Sequence, residues 1–215
     1  MSPMTILSEV TLATGQTVYM VLISTLLATL LGLPLGTLLY SSHALKPCPV
    51  LYRCLSWIIN IARSVPFIIL LVAIIPFTRW IIGSSIGIHA AMVPLTLGAV
   101  PFFARLIDNA YSNLPQSLVE TGHAMGASTW QMIRYLFLPE VRAALIQSVT
   151  LTAITLVNYS AMAGTVGGGG LGDLAIRHGY QRFNISIMLI TIVILVIIVQ
   201  GLQYMGDRAA HYYKR

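Results

Sequence analysis

The chain has 215 residues, of which 57% are hydrophobic and 8% are charged, and its formal net charge is +6. Soluble globular proteins carry about 25% charged residues, so this composition excludes a protein whose surface is covered mainly by water. The twelve Lys and Arg residues are scattered singly, which argues against a nucleic-acid-binding surface and favours a role in membrane orientation.

Five long apolar runs follow one another along the chain. Each is long enough to cross a hydrocarbon core of about 30 Å as a helix. None shows the period-two alternation of a barrel strand, so helices are the structure that satisfies the backbone in lipid. We therefore predict an all-α integral membrane protein, a single transmembrane domain over residues 1–215. The predicted spans cover residues 18–40, 55–77, 86–107, 141–162 and 185–205.

The first span contains Gly32 and Gly36 with Pro34 between them. Small residues four apart allow two membrane helices to approach closely, so this pair predicts a packing face. Pro34 predicts a kink. The loop after this span contains Cys48 and Cys54, whose spacing matches no zinc or redox motif.

The second span contains Arg63 about 12 Å from its start, at the 1.5 Å rise of a helix, and Pro66 follows it. A charge at that depth must pair, face water or reach back to the interface. Pro66 predicts a break that frees backbone carbonyls near the same level. Snorkelling toward the membrane surface is one interpretation of Arg63. The RSVP stretch also resembles the Arg-Ser/Gly-x-Pro stretch of amino-acid importers, which implies contact with a substrate carboxylate as the other.

A polar, glycine-interrupted segment, residues 115–139, separates the third and fourth spans. Pro115 suits the start of a helix that runs over residues 116–125, and Gly126 can end it with a positive φ. Ser128 with Gln131 three residues later forms a capping-box signature. We predict a second helix to about Leu138, a break at Pro139, and one apolar face made by Trp130, Ile133 and Phe137. An amphipathic connector on the membrane surface is the simpler alternative.

The fourth span is the most polar. Its polar positions recur every three or four residues, which places them on one helical stripe. Such a stripe can line a path, or its hydroxyls can bond to their own backbone. The candidate path residues are Ser148, Thr152, Thr155, Asn158, Tyr159 and Met162, together with Arg63.

A glycine-rich segment, residues 164–175, follows the fourth span. Its glycine content predicts a flexible outer loop. It lacks the lysine of a phosphate-binding loop, so no nucleotide site is expected here. A tight turn without a partner and a gate-side or docking surface for another protein are both open.

Basic residues give the expected orientation. With the amino terminus outside, nine lie on the inner side and three on the outer side, in line with the positive-inside rule. The inner residues are Lys46, Arg53, Arg63, Arg105, Arg134, Arg142, Arg208, Lys214 and Arg215, and the outer ones are Arg79, Arg177 and Arg182. We therefore predict a periplasmic N-terminus, a cytoplasmic C-terminus and a cytoplasmic helix–turn–helix at residues 115–139.

That segment resembles the cytoplasmic loop of bacterial ABC-importer permeases, whose pattern is Glu-Ala-Ala, three residues, Gly, nine residues, an aliphatic residue, one residue and Leu-Pro. Glu120, Gly126, Leu138 and Pro139 match, Leu136 is the aliphatic position, and Thr121 and Gly122 replace the two alanines. The resemblance implies a coupling helix that docks on an ATPase subunit. The implied coupling residues are Glu120, Thr121, Gly122, Ala124, Met125, Gly126, Ala127, Leu136, Leu138 and Pro139.

Longer stretches resemble the methionine-importer permeases. They are GLPLGTLLY, NIARSVPFIILLVAIIPFTR, VPLTLGAVPFFAR and YSAMAGTVGGGGLGDLAIRHGY. This resemblance implies a homodimer in the bacterial inner membrane that imports D- and L-methionine. It also implies two separate ATPase subunits that bind ATP and Mg, and a periplasmic or lipid-anchored methionine-binding protein.

Two alternatives compete with this interpretation: a permease for another amino acid or small substrate, and a secondary transporter or channel that works alone. Inverted repeats would favour the second, and none is visible. A membrane enzyme would need catalytic groups at one depth, whereas the six acidic residues are spread along the chain. We therefore predict no catalytic residues, no metal site and no cofactor in this chain.

Overall fold

The computed structural model describes residues 3–213, with side chains from residue 6 onward. Lys214 and Arg215, two of the residues used for the predicted orientation, lie outside this range. The helices are α1 Pro3–Tyr40, α2 Pro49–Ser64, α3 Phe67–Ala73, α4 Ile75–Ile82, α5 Ile88–Ser112, α6 Gln116–Ala124, α7 Thr129–Gln131, α8 Leu138–Glu140, α9 Arg142–Gly164, α10 Gly170–Leu174 and α11 Ile185–Tyr212. Three π-helical stretches cover Ser41–Leu45, Met132–Phe137 and Ala175–Tyr180.

In the described chain, four helices are long and apolar enough to cross a membrane. They are Ile6–Leu45, Ile88–Ser112, Arg142–Gly164 and Ile185–Tyr212. These four confirm the first, third, fourth and fifth predicted spans, and each helix is longer than its predicted apolar run. The helices extend beyond the runs because their polar ends continue the backbone hydrogen bonding without a breaking residue.

The second predicted span, residues 55–77, is not one continuous helix. The chain starts this region earlier, at Pro49, and breaks at Val65, so that α2 and α3 meet at 99°. Pro66 causes the break, since it lacks an N–H and forces Val65 into an extended conformation with φ −77° and ψ 123°. Pro66 itself was the expected site of a break. A second interruption at Ile74 separates α3 from α4.

The centre of the bundle lies where α1, α5 and α9 meet. The two most extensively packed partners, α1 and α5, approach closely at Gly32 and Gly36. A Cβ on Gly32 would lie 2.8 Å from Phe103 Cδ1, and one on Gly36 would overlap the carbonyl oxygen of Ala104. The predicted packing role of the two glycines is therefore confirmed. The α-helix runs through Pro34 without interruption.

Replacing Gly36 by Ala is expected to push α1 away from α5, because the backbone of Ala104 cannot move aside as a flexible side chain can. Overpacking of this kind costs about 1–3 kcal/mol. Thermal unfolding of the purified protein in detergent measures it. Gly15→Ala on the same helix is the control, since nothing lies within 4 Å of a Cβ there; equal stability of the two variants would contradict the close approach.

Two of the four buried clusters in the described chain follow one another along the length of the bundle. The first fills the middle of the bundle and includes Met20, Phe67, Leu71, Leu95, Ala99, Leu156 and Val157. The second lies at the end that carries residues 115–139 and includes Tyr40, Phe103, Ile107, Tyr111, Met132, Ile133 and Phe137. The second cluster joins the polar 115–139 segment to the ends of α1 and α5.

The glycine-rich segment is not the flexible loop that its composition predicts. Gly170–Leu174 is a helical turn with buried glycines, and its backbone is held by α1. Gly170 N donates to Gln16 Oε1 at 2.9 Å, and Leu171 N donates to Thr17 Oγ1 at 2.8 Å. Gly172 lies against the backbone of Ala161. The glycines therefore permit close packing between chain segments, a use that composition cannot separate from flexibility.

Candidate coupling surface and substrate path

The coupling segment, residues 115–139, contains a sharp bend after α6. Gly126 has φ +69°, a conformation that favours glycine. Ala127 N donates to Gly122 O at 3.1 Å, and Gly126 N donates to His123 O at 3.0 Å. This pair of bonds is the Schellman motif, which satisfies the last carbonyls of a helix. The predicted helix end at Gly126 is confirmed.

The next helix begins with the predicted capping box. Gln131 N donates to Ser128 Oγ at 3.3 Å, and Ser128 N donates to Gln131 Oε1 at 2.8 Å. Both bonds satisfy backbone groups that the helix leaves open at its start. The two helices are thus joined by a turn in which the backbone is hydrogen-bonded on both sides, so the bend is a defined shape.

The predicted break at Pro139 is wrong. After α7 the chain continues through the π-helical stretch Met132–Phe137 and through α8, and the interruption falls at Val141, with φ −87° and ψ 9°. Pro139 sits in the first turn of α8, where a proline lacks no needed N–H. The part of the coupling segment after the bend therefore continues into α9 with a single irregular residue, Val141, between them.

Three aromatic rings anchor the Met132–Phe137 stretch to the bundle. Phe137 is fully buried, and its ring centroid lies 5.9 Å from that of Tyr40 and 6.2 Å from that of Tyr111. On the other side, a Cβ on Gly122 would lie 2.9 Å from Met132 Cε and 3.0 Å from Leu136 Cδ1. Gly122 thus brings α6 into direct contact with the anchored stretch. The bend is fixed to α1 and α5 through side-chain packing.

The opposite side of the bend is exposed. Met125 is 78% exposed at its tip, and Glu120, Thr121, Ala124 and Gly126 are also exposed. Trp130 and Ile133 of the predicted apolar face line one cavity against α1. Their burial differs, since Ile133 and Phe137 are buried within the chain, whereas Trp130 is 63% exposed. Leu136, Leu138 and Pro139 are partly buried and support the bend from behind.

Two of the candidate path residues, Arg63 and Tyr159, meet in one cavity. This cavity of about 110 Å³ lies at the break between α2 and α3. Its walls include Arg63, Val65, Phe67, Leu70, Gly98, Phe102 and Tyr159. The rings of Phe67 and Tyr159 stack in parallel, with centroids 4.3 Å apart and an interplanar angle of 2°. A guanidinium beside an aromatic wall can hold a carboxylate while an apolar side chain packs nearby.

The rest of the stripe divides into two groups. Ser148 and Thr152 are buried inside the chain, and their hydroxyls donate to Ala144 O and Ser148 O, each at 2.8 Å. Within this subunit they line no open surface, which corrects the prediction for these two residues. Thr155 also bonds its own helix, at Leu151 O, but is only partly buried. Asn158 and Met162 are exposed at the far end of the stripe.

The two phenylalanines of the cavity, Phe67 and Phe102, are not among the residues singled out from the sequence. Phe67 follows Pro66 directly, and a proline-induced break in a span is a signal that the residues beside it leave the regular helix surface. Phe102 and Gly98 lie on another helix, and neither periodicity nor a motif connects them to Arg63. Only the bend of 99° brings these positions together.

Comparisons with known proteins agree with this geometry. Residues 28–211 match the family described as binding-protein-dependent transport system inner membrane component. A relative in Vibrio cholerae, named probable D-methionine transport system permease protein MetI, is 52% identical over 91% of this chain and 88% of its own length. Another of the same name, in Pasteurella multocida, is 46% identical over 93% of both chains.

A solved structure matches the complete fold. It is a chain of the MetNI methionine ABC transporter in an inward-facing conformation, with a TM-score of 0.94, 44% identity and coverage of 100% of both chains. A second amino acid ABC transporter structure, 16% identical with a TM-score of 0.77, shares the fold. The broken second span and the bend therefore occur in a chain that matches one family over most of its length. The protein belongs to that family, the binding-protein-dependent transport system inner membrane components, which are multi-pass membrane proteins.

Proposed function

We propose that this chain is the permease subunit of an ATP-driven importer of D- and L-methionine, assembled as a homodimer in the inner membrane with two ATPase subunits. The observation that carries the proposal is the match over 100% of both chains, at 44% identity, to a chain of the MetNI methionine ABC transporter. The relatives named as D-methionine permeases support the substrate. ATP and Mg belong to the partner ATPase subunit, and this chain has no catalytic role.

The coupling segment receives the ATPase subunit in this proposal. Met125 projects from the tip of the bend, and Glu120 and Thr121 lie exposed beside it. A docked partner that moves this tip displaces a body that is anchored through Phe137 to α1 and α5 and continues into α9. Packed elements pass on such a displacement because cores have low compressibility. The geometry therefore supports a rigid connection from the exposed bend to three membrane-spanning helices.

The substrate passes the break in the second span. Arg63 is placed to attract the carboxylate of an amino acid, while Phe67 and Tyr159 offer an apolar wall to a thioether side chain. Thr155, Asn158 and Met162 continue the path along α9 toward the glycine-rich end. A periplasmic or lipid-anchored binding protein delivers methionine there.

The proposed orientation places the coupling segment inside the cell and the Ala175–Tyr180 stretch outside. We expect an impermeant maleimide to label Tyr180→Cys but not Ser128→Cys in intact cells. Both residues are exposed, but they lie at opposite ends of the helix bundle. Cys48 and Cys54, which are free and exposed, are first replaced by Ala. Permeabilised cells should give labelling at both positions. Labelling of Ser128→Cys in intact cells would reverse the orientation.

Copurification tests the proposed assembly. We expect the tagged permease, expressed with its ATPase subunit, to purify as two copies of each. A monomeric permease that purifies without an ATPase but still transports would instead favour a secondary transporter or channel working alone. Uptake of other amino acids by an intact complex, in competition with methionine, separates a methionine permease from one for a different small substrate.

A further inference from the structure

Arg105 joins two helices through a buried polar contact that no role described above uses. Arg105 Nη1 donates to Asp108 Oδ2 at 2.9 Å, and Nη2 donates to Ser56 Oγ and Asn60 Oδ1, each at 2.9 Å. The Arg105 and Asp108 side chains are only 15% and 10% exposed. An ion pair that is largely removed from water is costly unless further hydrogen bonds satisfy it, and here Ser56 and Asn60 supply them.

The contact reaches the helix that carries Arg63. Ser56 and Asn60 lie one turn apart on α2, and Arg63 follows Asn60 by three residues, on the same side of the helix. Within α2 only Ile59 is buried, where it packs with Leu39 and Ala104. The outward side of α2 meets no other part of the described chain: Trp57, Ile58 and Ile61 are all exposed. Because only the inner side of α2 is packed, the polar contact helps to fix the angle of this helix.

The other end of the contact leads to the coupling segment. Arg105 and Asp108 lie in α5, which ends at Ser112 just before the segment begins at Pro115. Seven residues of helical rise place Arg105 about 10 Å from the end of α5 at Ser112. A shift of α5 that starts at the bend therefore reaches α2 through the Arg105 guanidinium.

We propose that Arg105 is a positioning residue that holds α2 on α5, so that movement of the coupling segment repositions Arg63 at the substrate cavity. This inference rests on the proposed function, because it assigns a consequence to movement of that segment. Arg105 does not contact substrate in this role. Asp108 keeps its charge paired, while Ser56 and Asn60 connect the pair to the moving helix.

The test removes the α2 acceptors and keeps the ion pair. In the double variant Ser56→Ala, Asn60→Leu, the Arg105–Asp108 pair remains, so the buried charge stays neutralised. We expect normal assembly with the ATPase subunit and sustained ATP hydrolysis, but substrate transported per ATP lower by about fivefold or more, within the usual range of coupling between sites. Asn60→Asp, which keeps an oxygen acceptor, should retain coupling, and Cys54→Ala on the same helix is the neutral control because Cys54 is exposed.

A distance measurement tests the contact without transport. Spin labels at Trp57→Cys and Asn109→Cys, both exposed, report the separation of α2 and α5 in the purified full-length permease with its natural cysteines replaced by Ala. We expect a narrow distance distribution that the double variant broadens. Unchanged transport per ATP, or an unchanged distribution, in the double variant would overturn the proposal. If the unaltered complex shows no ATP-driven uptake, the proposed function fails, and the spin-label distances still decide whether Arg105 holds α2.

Discussion

Replacing Gly126 by Val is expected to abolish ATP-driven transport and to reduce the amount of ATPase subunit that copurifies. Gly126 has φ +69°, and a left-handed conformation costs an L-residue about 1–2 kcal/mol, more when it is β-branched. No atom of the described residues lies within 4 Å of a Cβ at this position. The predicted damage therefore comes from backbone strain that reshapes the bend and from a side chain added to the docking surface.

Gly126→Asn separates these two causes, since Asn tolerates the left-handed region better than other residues with side chains. If the shape of the bend is what the ATPase recognises, the Asn variant keeps more association than the Val variant. Glu120→Ala should be milder than either, because one exposed charge contact contributes about 0–1 kcal/mol. Normal copurification and transport by Gly126→Val would show that the segment is not the coupling element.

Replacing Tyr159 by Trp is expected to block transport while assembly with the ATPase stays intact. Tyr159 stacks on Phe67 with ring centroids 4.3 Å apart and borders the Arg63 cavity of about 110 Å³. A larger ring has no room to stack there without entering the cavity, whereas the coupling segment is untouched. Substrate uptake into proteoliposomes and copurified ATPase are measured in parallel.

Tyr159→Phe is the matched control. It retains the stacked ring and removes only a hydroxyl that makes no hydrogen bond among the side chains described between residues 6 and 213. We expect it to transport at close to the unaltered rate. Full transport by Tyr159→Trp would place the path elsewhere and leave the Phe67–Tyr159 stack as helix packing.

The spans and the bend are predictable because their signals are local. Long apolar runs require helices in lipid, and the glycine at 126 with Ser128 and Gln131 after it encodes a helix end and a new helix start within six residues. The close contact at Gly32 and Gly36 is likewise implied by their spacing. Each of these predictions depends on residues that are near one another in the chain.

Features that depend on contacts between residues distant in the chain could not be predicted from the sequence. The stripe on α9 is regular in spacing, yet Thr152 is 0% exposed, because periodicity fixes which residues share a face and not what that face meets. The glycines after residue 164 indicate either mobility or close packing, and the contacts from Gln16 and Thr17 decide for packing. The proline at 139 predicts a stop, but an early helical position accepts it.

The most direct test of the central claim is uptake by proteoliposomes containing the permease and its ATPase subunit, with the methionine-binding protein on the outer side. We predict that ATP inside the vesicles drives accumulation of labelled D- and L-methionine, that Gly126→Val abolishes it, and that omission of the binding protein strongly reduces it. Accumulation that proceeds without ATP or without the ATPase subunit would contradict the account.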